Sequence, residues 1–302
     1  MTQDLVIALR WVLYFDLGLL FGLPLFGLYA WRGYPLPNAY TAKAIAGLAI
    51  IGLCASALAF ASQAAAMAGV AIRSLDANIV KMLLDQTAFG AAFKVRELAL
   101  LVVLFCAPMR ARLPLLAIWI VMFAGGIALI TLPWSGHGAA GEGVKGWMQL
   151  AADILHLLAA SAWLGAIAGF LIMMFGGQWK TSSGLVLTSR ALAGFSNIGT
   201  VLVGTLIATG LVNASILVGF ASFFRNSLYA SVLLAKLALF VCMLVLAGLN
   251  RYRLTPALEQ AAGSDQIGFA AASLRKSLMR EGVIALLIFG LVAWLTTLAP
   301  PR

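Results

Sequence analysis

Carboxylates, histidine and cysteine are all scarce in this chain of 302 residues. It has ten acidic residues, two histidines and three cysteines; charged residues make up 10% of it and hydrophobic ones 63%, with a mean hydropathy of +1.02. A soluble domain carries about 25% charge, so this chain cannot cover itself with a water-compatible surface and is read as an integral membrane protein. A span takes about 20 apolar residues, which leaves no room for a large soluble domain and excludes kinases, dehydrogenases and nucleic-acid-binding domains. Cys54, Cys106 and Cys242 lie inside apolar runs with no Cys-x-x-Cys, so neither a disulfide framework nor a zinc site is expected. Gly-x-Ser-x-Gly and Gly-x-x-x-x-Gly-Lys are absent, which removes the hydrolase signature and ATP-driven pumping by the chain acting alone; it is not expected to be an enzyme.

What the sequence does contain is long apolar runs. Charge, proline and glycine divide them into eight segments, about 5–31, 42–69, 88–107, 113–132, 148–174, 191–219, 228–249 and 278–298. The first follows Asp4 rather than a basic region and is too long for a cleaved signal, so it is expected to stay as a helix. The basic excess, 20 Lys+Arg against 10 Asp+Glu, suits loops that hold orientation in the bilayer. With both termini outside, eleven basic residues fall in inner loops and five in outer loops and the tail, the arrangement that the positive-inside rule favours. The expected fold is an all-α polytopic membrane protein of eight transmembrane helices with both termini periplasmic.

The chain also resembles itself. Arg10-Trp-Val-Leu13 aligns with Asp153-Ile-Leu-His156, and Thr87-Ala-Phe89-Gly90, followed by Arg96, aligns with Ser227-Leu-Tyr229-Ala230, followed by Lys236. The order of the matches implies two parallel four-helix repeats, residues 1–132 and 148–302, joined by an external Gly-His loop at 133–147. Parallel repeats occur in transporters, with sites where the halves meet.

Ionisable groups in a membrane are costly and mark function. Here Arg10, Asp16, Lys94, Arg96, Glu97, Asp153, His156 and Lys236 all fall in odd-numbered spans, and are expected to form one polar layer in the outer half of the bilayer. His137, in the glycine-rich loop, and His156, two turns into the fifth span, approach the same outer end. Asp153 is one turn above His156 on the same helix face, where a carboxylate can orient a ligating imidazole. Imidazole suits copper, iron, nickel and zinc, and Cu(I) also accepts thioether. Met148, Met67 and Met82 are therefore secondary candidates as ligands.

Ser135-Gly-His137, Asp153-Ile-Leu-His156 running on to Trp163-Leu-Gly165, Phe195-Ser196, Thr209-Gly-Leu-Val-Asn213, Tyr229 with Lys236, and Asn250-Arg251 before Pro256 together resemble the CopD copper-resistance family of bacterial inner-membrane proteins. The likeness runs over essentially the whole chain and is strongest from about 130 to 256. It implies a copper ion as cargo, moved from the periplasm across the inner membrane, with a CopC-type periplasmic copper protein as donor. His137, Asp153 and His156 are the implied metal positions. One departure stands out: where such proteins read Arg-x-x-His in the first half, this chain has Arg10-Trp-Val-Leu13. Two other readings compete with transport. One is a membrane redox protein holding heme b or a quinone, for which two axial histidines on facing helices are the usual requirement. The other is a non-transporting sensor or docking partner for a periplasmic copper protein.

Overall fold

The computed structural model describes residues 3–30, 42–135, 143–217 and 227–299. His137 and most of the Gly-His loop lie outside the described residues. Within them every regular element is helical: α1 (Gln3–Ala30), α2 (Ala42–Ala68), α3 (Ala77–Gln86), α4 (Ala88–Cys106), α5 (Pro114–Ile130), α6 (Gly143–Phe175), α7 (Ser182–Leu217), α8 (Leu228–Leu249), α9 (Thr255–Gln260) and α10 (Ile267–Leu295). Helices satisfy every backbone group within their own segment, which is why a chain this apolar forms them in lipid. Seven are long and apolar enough to cross a membrane. Of the eight expected spans, the one outside that set is α4, whose 19 residues include Lys94, Arg96 and Glu97; at 1.5 Å per residue it is about 28 Å long.

The main departures from the sequence reading are at helix ends. Helix α6 begins at Gly143, α7 at Ser182 and α10 at Ile267, five to eleven residues before the expected apolar boundaries. Hydropathy marks where the apolar run stops, but backbone hydrogen bonding continues the helix past it. Arg190, Arg275 and Lys276, outside the expected spans, therefore lie on helical extensions. Arg275 stacks there over the Phe175 ring at 5.2 Å. Arg251 and Arg253 sit in a π-helical turn, Asn250–Leu254, that joins α8 to α9. The short α3 was not expected. Asp76 caps it by accepting from the Asn78 N–H at 3.0 Å, and its buried Leu83 packs into a cluster with Phe60, Phe89 and Phe93.

Helix α1 is central, touching α2, α5, α6, α7 and α10. Its closest approach is to α6: a Cβ on Gly22 would overlap the Ser161 carbonyl, and one on Gly165 would overlap the Gly22 backbone. Small residues at such a crossing let two membrane helices gain dispersion contact that lipid cannot replace. The largest core cluster extends from this seam through Leu17, Leu20, Leu100, Val121, Leu129, Trp163 and Phe289.

Candidate functional site

Two polar rungs connect α6 to its antiparallel neighbour α7. Asn213 Nδ2 donates to Asp153 Oδ1 at 2.7 Å, and one turn deeper the His156 Nδ1 lies 2.9 Å from Thr209 Oγ1. The spacing produces the ladder: Asp153 and His156 are three apart on α6, Thr209 and Asn213 four apart on α7, so each pair shares a helix face. The Thr209 hydroxyl is already committed, donating to the Thr205 carbonyl at 2.6 Å. With its one hydrogen given to that carbonyl, the hydroxyl stands as an acceptor toward Nδ1 of His156, whose ring is also hydrogen-bonded to the Leu206 carbonyl. In that arrangement Nδ1 carries the hydrogen and Nε2 the lone pair. Gly210 faces the ring edge, with even a Cβ there 3.8 Å from His156 Cε1, so no side chain from that position crowds the imidazole.

Asp153 is the electrostatic centre of this region. Tyr14 from α1, and Tyr229 and Lys236 from α8, lie within its electrostatic reach, and Lys236 is also within reach of His156. Both tyrosines are buried. Helix α8 is set at its start by Ser227, whose hydroxyl accepts from the Ala230 N–H at 3.2 Å; Lys236 follows nine residues after this cap.

The charged residues of α1 and α4 have a different environment. Thr87 caps α4 by accepting from the Gly90 N–H at 2.9 Å, and Arg96 follows nine residues later. Arg96 is 2% exposed. Its Nε donates to Ser56 Oγ at 2.7 Å and Nη1 to Thr131 Oγ1 at 3.3 Å. Arg10 donates to the carbonyl and hydroxyl of Thr296 at 2.9 and 2.8 Å, and to the Ser135 carbonyl at 2.6 Å. Thr131 and Thr296 follow the last residues of α5 and α10, and each donates its hydroxyl to the carbonyl three residues back. Asp16 is buried with both carboxylate oxygens unpartnered.

The expected polar layer thus divides into two environments and loses one member. Lys94 points out of the bundle, pairs with Asp85 of α3 at 3.4 Å, and is about half exposed. A long flexible stem lets its ammonium leave the apolar interior. Met67, Met82 and Met148 are also exposed. Among the described residues no group of three or more His, Cys, Asp and Glu side chains converges as a metal site. His156 with Asp153 supplies at most two donors there, and His137 is outside those residues.

Several polar residues escaped the sequence reading as site candidates. Thr209 and Asn213 carry a legible signal, two polar side chains four apart in an apolar run. Glu281 carries one too, since it falls inside the expected span 278–298. It is 3% exposed on α10, one turn after the buried Ser277, and beside Asn250 at the π-helical turn. Ser56 and Thr131 had none, because isolated hydroxyls are common in membrane helices.

Comparison with known proteins identifies the family. The family profile described as "Copper resistance protein D-like, N-terminal domain" matches residues 1–147, and that described as "Copper resistance protein D" matches residues 189–295. Copper resistance protein D of Pseudomonas syringae pv. tomato is 38% identical over 99% of this chain and 98% of its own length. Inner membrane protein YebZ of Escherichia coli is 28% identical over 96% of this chain and 97% of its own. Copper transport protein CutJ of Bacillus subtilis is 30% identical over 40% of this chain and 22% of its own length. No solved structure matches. Full-length similarity, two matching profiles and a bundle of apolar helices lead to one conclusion: this chain belongs to the copper resistance protein D family and is a multi-pass protein of the inner membrane.

Proposed function

We propose that the chain carries copper from the periplasm across the inner membrane, taking the ion at His156 with Asp153 beside it. The observation that supports this most is the contact between His156 Nδ1 and the Thr209 hydroxyl. With Thr209 donating to the Thr205 carbonyl, Nδ1 is the nitrogen that carries the hydrogen in this reading and Nε2 is left as a donor atom. Orientation of a ligating histidine through its other nitrogen is how proteins prepare metal-binding imidazoles. The Asp153 carboxylate offsets the positive charge of Lys236 and of an arriving cation, and His137 on the adjoining loop would supply a further nitrogen. Copper is cargo in this reading and no chemical turnover is assigned. A CopC-type periplasmic protein is the proposed donor.

The same reading counts α4 as the eighth span, keeps both termini in the periplasm, and pairs the two halves as parallel repeats. Matching hydroxyl caps on α4 and α8, each nine residues before a cation, support the pairing. So do the arginine-bound threonines at the ends of α5 and α10. Copper accumulation by cells expressing the wild type or His156→Ala tests the proposal. Uptake is expected to fall to that of cells lacking the protein; wild-type uptake by the variant would remove His156 from the path.

A further inference from the structure

Between α1, α2, α4 and the turn Leu132–Ser135 lies a cavity of about 30 Å³, room for one or two waters or one small ion. Its border carries two arginines, Arg10 and Arg96, together with Tyr14, Ser62 and Gln63, and among the described residues no carboxylate. The two guanidiniums donate to neutral groups, the hydroxyls of Ser56, Thr131 and Thr296 and the carbonyls of Thr296 and Ser135, and Ser56 is in turn bonded to Glu97. Each guanidinium has five N–H groups. Glu97 is within electrostatic reach of Arg96 but does not border the cavity.

Ser62 is the second, independent sign. Its side chain is 1% exposed, its hydroxyl has no hydrogen-bond partner, and it lines this same space. Two like charges in a low-dielectric interior are costly unless something compensates them. Neutral oxygens satisfy directionality but do not cancel charge. An anion between the guanidiniums does both, and can accept from the Ser62 hydroxyl and the Gln63 amide.

We infer that this cavity is a binding site for a small monovalent inorganic anion, chloride being the abundant one of that size. The narrow volume favours a monatomic ion over a carboxylate with an organic tail. Such an ion would neutralise the arginine-rich side of the polar layer, and so lower the electrostatic barrier that a cation passing the neighbouring Asp153 and His156 would meet. The inference stands apart from the copper reading, because the binding can be measured without copper.

Equilibrium binding of ³⁶Cl⁻ to the purified full-length protein in detergent, with copper removed and gluconate holding ionic strength constant, tests it. Saturable binding near one ion per chain is expected, displaced by bromide and not by gluconate. Ser62→Leu, which fills the cavity without altering charge, is expected to weaken binding at least tenfold, and Arg96→Gln to bring it below detection. Each variant is first checked for a monodisperse elution profile, and Ser62→Leu serves if Arg96→Gln does not fold. Absence of saturable chloride binding by the wild type would overturn the site. Wild-type binding by folded Ser62→Leu would overturn it as well.

Discussion

The two halves of the bundle hold their buried cations differently. In the first, Arg96 lies 2% exposed, donates to neutral hydroxyls with Glu97 within electrostatic reach, and shares with a second arginine a cavity that no carboxylate among the described residues borders. In the second, Lys236 occupies the corresponding place nine residues after a helix cap, and the Asp153 carboxylate is within its reach, next to a histidine held at Nδ1 by Thr209. Similar helix starts therefore carry different chemistry. One side is suited to an anion and the other to a cation, and the difference traces to a few residues: Asp153 stands opposite Arg10, and His156 opposite Leu13.

That contrast can be broken or sharpened by substitution. The largest effect is expected where the halves cross. Gly165→Val drives a side chain into the Gly22 backbone, and should lower stability by about 4 kcal/mol, read as a collapse of the thermal unfolding midpoint in detergent. An unchanged midpoint would mean that the crossing is not close. Thr209→Val removes the acceptor that fixes His156 while keeping shape, and should weaken copper binding about 10- to 100-fold, with Thr209→Ser restoring it. Equal affinities for all three proteins, measured by competition with a chromogenic chelator, would show that the tautomer is not controlled from α7.

Smaller effects compare the helix starts. Thr87→Ala and Ser227→Ala each remove one cap and should each cost about 1 kcal/mol. If the halves are equivalent scaffolds, the two losses should agree; a marked difference in chemical unfolding would argue that only one cap bears load. Lys94→Ala should change stability by less than about 0.5 kcal/mol, because its pairing with Asp85 is half exposed and screened. A loss of several kcal/mol would return Lys94 to the buried layer.

Much of the fold is legible in the sequence, because lipid allows few solutions for a chain this apolar. The positions of α1, α2, α4, α5 and α8 follow from their apolar runs alone. The ends of α6, α7 and α10 do not, since Arg190, Arg275 and Lys276 can sit on a helix beyond the bilayer as readily as in a loop. The charged residues were visible as exceptions, but their partners were not. Nothing in the local sequence says that Arg96 reaches Ser56 and Thr131, or that Lys94 turns away to Asp85, because these contacts join separate helices. His156 and Asp153 are readable from their three-residue spacing, whereas the contact that orients the ring, from Nδ1 to a Thr209 hydroxyl that itself donates to the Thr205 carbonyl, joins separate helices.

The central claim is that His156 holds the copper. Metal analysis of purified wild type and His156→Ala, each loaded with copper and passed through a desalting column, tests it most directly. About one copper per chain in the wild type and essentially none in a folded His156→Ala variant is the expected result. Equal copper in the two proteins would contradict it.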